Sequence, residues 1–264
     1  MSESSAAVRW AAALAEWAIP TQIVDQAPES PWIHPPALFG VPDHIPDSPS
    51  HTRAREALPE SGTVLDIGCG GGIAVAALVP KVSHAIGVDH QEAMLRLFAS
   101  SMAERGVPTE TILGDWPDVA GHTPTADVVT CHHVVYNVLD IAPFVRALTD
   151  HAENRVVIEM PVTHPLSNLS VAWRHFWGIE RPTQPGPELF LDVLREVGIS
   201  AHLEFFEAEM RGDLDEDSAV INTRIRLCLD ESRDDEVRAF LRSQPSSRTR
   251  ALATVWWDVA EREK

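Results

Sequence analysis

The chain predicts an α/β fold built on a largely parallel sheet, with helices between the strands. One observation is a strand–turn–helix unit at residues 63–79. The other is that further short apolar runs follow at regular intervals, each ending in or running into a polar residue, with helical patterns between them. A strand, a glycine turn and a helix form the opening of a nucleotide-type α/β unit.

Residues 63–72 read TVLDIGCGGG. Val64, Leu65 and Ile67 suit a buried strand, and Gly68, Gly70, Gly71 and Gly72 let the backbone turn tightly and approach a ligand. Residues 73–79 read as a helix that Pro80 stops. A phosphate-binding loop needs a Lys-Ser/Thr pair after its last glycine, and none is present. A dinucleotide fingerprint counted from Gly68 would place its third glycine at Ile73, so that match fails as well. Asp66, two residues before the turn, would repel a pyrophosphate and favour a cation or an ammonium group.

Residues 84–89 read as a second strand ending at Asp89, where an acid can accept both hydroxyls of a ribose. Residues 91–104 read as a helix with Met94, Leu95, Phe98 and Met102 on its apolar face and Gly106 as its C-cap. A third strand at 109–113 runs into Gly114, Asp115 and Trp116. A fourth at 127–131 runs into His132, His133 and Tyr136, and a fifth covers 155–159.

These strand ends, taken with TVLDIGCGGG, resemble the class I S-adenosylmethionine-dependent methyltransferases over residues 61–160. The resemblance implies a seven-stranded, mostly parallel Rossmann-like sheet with one antiparallel strand near its edge and helices on both faces. It implies S-adenosyl-L-methionine as cofactor, with S-adenosyl-L-homocysteine as product. Asp66, Gly68, Cys69, Gly70, Asp89, His90, Asp115, Trp116 and His132 are the expected cofactor contacts. His133 and His164 are candidates for a general base or a substrate contact, and Tyr136, Trp173 and Trp177 for the acceptor pocket. The reaction implied is in-line displacement of the methyl group onto a small-molecule acceptor. A non-catalytic cofactor-binding sensor or partner subunit is the alternative, and a nicotinamide-dependent oxidoreductase is disfavoured by Asp66 and Ile73.

Composition restricts the partners. The chain has 264 residues, 39 Asp and Glu against 21 Lys and Arg, and a formal net charge of −18. That balance argues against a nucleic-acid substrate and an anionic membrane surface. Cys69, Cys131 and Cys228 form no Cys-x-x-Cys pair, which fits a reducing cytoplasm with no disulfide framework. Cys131, His132 and His133 invite a metal reading, but neighbours in an extended segment point to opposite sides, so no metal site is expected. Glu3 and Glu16 spoil a secretory reading of the apolar N-terminus. Oligomeric state, monomer or homodimer, is open.

Residues 1–50 read as a cover and 51–264 as the methyltransferase domain. In the cover, 1–19 form an amphipathic helix with Trp10, Leu14 and Trp17 on one face. Residues 20–50 form a proline-dense arm anchored by Trp32, Ile33, Leu38 and Phe39. Residues 160–187, which include His164, Trp173, His175, Phe176 and Trp177, read as a substrate-side insertion. A helix is expected over 188–196 and a sixth strand over 200–210. Strict alternation over 221–229 reads as the antiparallel strand. Two tail helices are expected, at 234–241 and 248–263.

Overall fold

The computed structural model describes residues 4–31, 40–209, 215–245 and 249–259. Seven strands form one sheet: β1 (Gly62–Ile67), β2 (Val82–Asp89), β3 (Thr109–Leu113), β4 (Ala126–His132), β5 (Ala152–Pro161), β6 (His202–Glu209) and β7 (Thr249–Asp258). Their spatial order is β3-β2-β1-β4-β5-β7-β6. The pairs from β3 through β5 are parallel, and β7 runs antiparallel to both β5 and β6. The order reverses between β1 and β4, because β2 and β3 lie on one side of β1 and β4 and β5 on the other, which makes the carboxyl ends of these two strands the topological switch point.

The described helices are α1 (Ala6–Ala15), α2 (Thr21–Val24), α3 (Pro49–Ala57), α4 (Ile73–Ala76), α5 (Glu92–Glu104), α6 (Ile141–His151), α7 (Ser170–Trp177), α8 (Pro187–Glu196), α9 (Glu216–Arg226) and α10 (Asp234–Ser243). Strand alternation divides the core between the two faces. Leu65, Ile67, Val129, Val156, Ile158, Val255 and Trp257 pack with Trp10, Phe144 and Phe190 from α1, α6 and α8. Val64, Val128 and Val157 pack with Ala54, Val75, Phe98 and Met102 from α3, α4 and α5. A third cluster joins Ile23, Trp173, Val220 and Val237 from α2, α7, α9 and α10.

Two expectations fail, both in the C-terminal third. Residues 216–226 are helix α9, not the antiparallel strand. Asp215 caps it by accepting from the Ser218 amide at 2.9 Å, and Glu216 and Asp217 occupy its first turn while Arg224 and Arg226 occupy its last, as a helix dipole favours. The period-two pattern misleads because burial does not follow it: Ile221 is exposed, whereas Thr223, Arg224, Arg226, Leu227 and Leu229 are buried. Arg224 reaches Glu29 at 3.2 Å and Asp234 at 3.0 Å, and Arg226 donates to the Pro31 carbonyl at 2.7 Å. The antiparallel strand is β7, in the segment read as a helix. Its run of Thr254, Val255, Trp256 and Trp257 has the β-branched and aromatic composition of a strand.

Smaller differences follow from local geometry. The helix after the glycine turn is the single turn of α4, shorter than 73–79. Of the helix expected over 1–19, α1 covers Ala6–Ala15, with Trp10 and Leu14 buried on it; Trp17, also buried, lies in the turn beyond its end. The arm anchors Trp32, Ile33, Leu38 and Phe39 lie outside the described residues.

Candidate active site at the strand ends

β1 delivers Asp66 one residue before its end, and the chain then turns through three glycines with positive φ: Gly68 (+69°), Gly70 (+51°) and Gly72 (+89°). At Gly68 the requirement is doubled, since a Cβ there would come within 2.4 Å of Val134 Cγ2, in the loop after β4. The glycine turn and the β4 loop are thus packed against each other. Cys69 is buried, and its Sγ lies 3.0 Å from where a Cβ on Gly87 would sit, so its side chain faces the core. Its backbone amide donates to the Val88 carbonyl at 3.1 Å.

The acids at the next strand end complete this cradle. Asp89, at the end of β2, is buried; one carboxylate oxygen accepts from the Gly70 amide at 3.1 Å and the other from the Gln91 amide at 2.9 Å. It therefore ties the glycine turn to the start of α5. His90 is exposed, with Nδ1 3.8 Å from Asp89. Asp66 is buried and accepts from the Thr130 hydroxyl at 2.8 Å. Burial pushes its carboxyl up to about 7; the Thr130 hydrogen bond opposes that rise and the charge of Asp89 adds to it.

After β3, Asp115 is exposed and Trp116 half-buried. The Trp116 ring meets His151 edge-on at 4.8 Å, and its indole N–H is buried without a hydrogen-bond partner among the described residues. An orphaned donor next to an exposed acid at a strand end is a feature that a bound heterocycle with ring nitrogens would satisfy.

At the end of β4, His132 lies in register with Glu159 of β5 and stacks against His51 of α3, ring centres 6.0 Å apart. His133 has a φ of +62°, and its Nε2 lies 3.0 Å from a Glu159 carboxylate oxygen and 3.2 Å from Arg250 Nη2. Glu159 is buried and also accepts from Ser48 Oγ, at 3.4 Å. Burial alone would raise its carboxyl, but the hydrogen bond from His133, the two nearby imidazoles and Ser50 hold it well below the usual carboxylate range. Sequence reading passed over Glu159, although it is one acid in the otherwise apolar run 156–160, the same signal that marks Asp66.

The other predicted residues lie further into the fold. Tyr136 is buried and donates to the Pro161 carbonyl at 2.6 Å. His164 is buried beneath Trp17 with ring centres 4.0 Å apart, and its Nδ1 accepts from the Leu166 amide at 3.2 Å. Burial, helped by Arg181, pushes it down to about 4. Trp173 is buried in the third cluster, and Trp177 donates to the Leu227 carbonyl at 2.8 Å.

The mostly parallel sheet with one antiparallel strand inserted beside β5 is the Rossmann-like fold of the class I S-adenosylmethionine-dependent methyltransferases. Residues 64–153 match the family model described as a methyltransferase domain. A ubiquinone biosynthesis O-methyltransferase from Chromobacterium violaceum is 34% identical over 94 residues, covering 35% of this chain and 40% of that protein. One of the same name from Pseudomonas paraeruginosa is 36% identical over 86 residues, covering 32% and 37%. The matches thus span two fifths or less of these relatives. The crystal structure of the YcgJ protein from Bacillus subtilis superposes with a TM-score of 0.53 at 16% identity, covering 81% of this chain and 99% of that one, and shares the fold.

Proposed function

We propose that the protein binds S-adenosyl-L-methionine in the crevice above β1, β2 and β4 and transfers its methyl group to a small-molecule acceptor, most plainly to a hydroxyl oxygen. The observation that carries this reading is the pair of buried acids, Asp66 and Asp89, on either side of the glycine turn. A cofactor bearing an ammonium, a sulfonium and a ribose diol suits them, and a pyrophosphate does not. Asp89 would hold the ribose, Asp66 would face the ammonium group, and Gly68, Cys69 and Gly70 would approach through their backbone. Asp115, Trp116 and His90 would border the adenine, and His132 and His133 the methionine end and the acceptor. The hydroxyl acceptor is supported by the name that the matched relatives share, O-methyltransferase.

The cofactor supplies an activated methyl carbon on sulfur; the protein's part is position and exclusion of water. Lining up nucleophile, carbon and sulfur accounts for up to about 7–11 kcal/mol of barrier. Asp66, Asp89 and Asp115 are binding groups in this reading. His133, next to the loop packed on the glycine turn, is better placed as a base than His164, whose Nδ1 already serves a backbone amide. We take residues 1–50 as a cover and 160–187 as the acceptor side. Calorimetry with S-adenosylhomocysteine against NAD, followed by transfer of labelled methyl to 3,4-dihydroxybenzoate, tests the reading. Binding of NAD alone would discard it, and binding of S-adenosylhomocysteine without transfer to any hydroxyl compound would favour the sensor.

A further inference from the structure

Three chain segments converge on Glu159. Its neighbours in the sheet are His132 on β4 and Thr254 on β7, and the N-cap residue of α3, Ser48, donates to it from above. The α3 N-terminus adds its own favourable dipole. A buried carboxylate this well compensated keeps its charge, and that charge faces His133 at 3.0 Å.

At that separation two lone pairs would repel each other, so a hydrogen lies between them and Nε2 carries it. Arg250 Nη2, 3.2 Å from the same nitrogen, cannot donate to an N–H and lies beside it as a lateral charge. In the neutral ring the lone pair is then on Nδ1. That atom is buried and has no hydrogen-bond partner among the described residues. Leaving it so carries the desolvation penalty of an unsatisfied acceptor. The left-handed backbone of His133 adds steric strain for a residue with a Cβ. Both strains fall on one residue, beside the loop that touches the glycine turn. Strain of this kind collects where a side chain is held ready for a ligand.

We propose that Glu159 is a positioning residue that holds His133 in its Nε2–H form, so that Nδ1 takes the proton of the acceptor's hydroxyl group. This rests on the methyltransferase reading. As the hydroxyl oxygen bonds to the methyl carbon, its proton passes to Nδ1, the carbon–sulfur bond breaks, and its electron pair stays on sulfur. The imidazolium so formed lies against the Glu159 carboxylate, which stabilises it, and returns the proton to water after product leaves. Nδ1 is covered in the ligand-free chain, so an acceptor reaching it must displace that cover.

The tautomer can be read without turnover. In the ligand-free full chain with ¹⁵N-labelled histidine, near neutral pH, His133 should show a protonated Nε2 and a bare Nδ1, and Glu159→Gln should mix the two tautomers. A protonated Nδ1 in the neutral wild-type ring, or an unchanged tautomer in Glu159→Gln, overturns the proposal. With 3,4-dihydroxybenzoate as the probe, Glu159→Gln should lower kcat about 10–100-fold with an unchanged S-adenosylhomocysteine Kd, and Glu159→Asp should recover part of it. In a His133→Asn background Glu159→Gln should lower kcat no further, and a full second loss would show that Glu159 acts by another route. Failure of the wild type to bind S-adenosylhomocysteine would strike the functional reading alone, because the tautomer is read without it.

Discussion

At the scale of single residues, Asp66 separates function from stability. Its carboxyl titrates near 7 in the fold against 3.8 when free, so folding takes up a proton between those values. The stability this provides is present in full below about pH 4 and is lost as pH rises through 7. Asp66→Asn should therefore stabilise the ligand-free protein at pH 8 by roughly 2–4 kcal/mol, with the gain vanishing near pH 4. Urea unfolding at the two pH values measures this. The same variant should bind S-adenosylhomocysteine at least about tenfold more weakly, if Asp66 faces the ammonium group. A residue whose loss helps the fold and harms binding is kept for the ligand. Asp89 behaves differently, because it accepts from the Gly70 and Gln91 amides. Asp89→Ala should weaken both the fold, by about 1–3 kcal/mol, and the affinity. Calorimetry showing an unchanged Kd would remove Asp89 from the ribose.

At the scale of elements, what could be read in advance depended on how much of each pattern was local. The first five strands and α5 were legible because their apolar runs, glycines and strand-end acids are contiguous in sequence. Asp66 and Asp89 were legible for the same reason. Glu159 was not, since its meaning comes from Ser48, His133 and Arg250, which only the fold brings together. α9 and β7 were exchanged because one carries an accidental alternation and the other a dense aromatic run. In α9 tertiary ion pairs hold Arg224, and a hydrogen bond to the Pro31 carbonyl holds Arg226, in buried positions, so hydrophobicity no longer reports burial. Capping does report the helix: Asp215 accepts from the Ser218 amide at 2.9 Å and from the Ser218 hydroxyl at 2.7 Å. Asp215→Ala should cost about 1 kcal/mol. A strand at these residues would have no use for the cap, and an unchanged urea midpoint would count against the helix.

At the scale of the whole molecule, residues 10–17 pack against the loop after β4 and against residues 160–187, the segment proposed above as the acceptor side. Trp10 is buried on α1, donates to the Val138 carbonyl at 2.9 Å and stacks on Tyr136 with ring centres 5.8 Å apart. Trp17, just beyond, lies on His164, donates to the Gln184 carbonyl at 2.5 Å and carries Arg181 over its ring at 5.3 Å. Each of these partners belongs to the loop after β4 or to residues 160–187, and none of them belongs to the glycine turn. Loosening the cover should therefore disturb the acceptor side and spare the donor side. Trp17→Ala removes a buried ring and three separate contacts, which costs about 3–5 kcal/mol. In a protein of this size that lowers Tm by roughly 6–20 °C. Below the new transition, the S-adenosylhomocysteine Kd should stay within about threefold of wild type while the KM for a hydroxyl acceptor rises. A Kd that weakens as much as KM would mean that the cover also reaches the glycine turn, and the division between donor and acceptor sides would have to be redrawn.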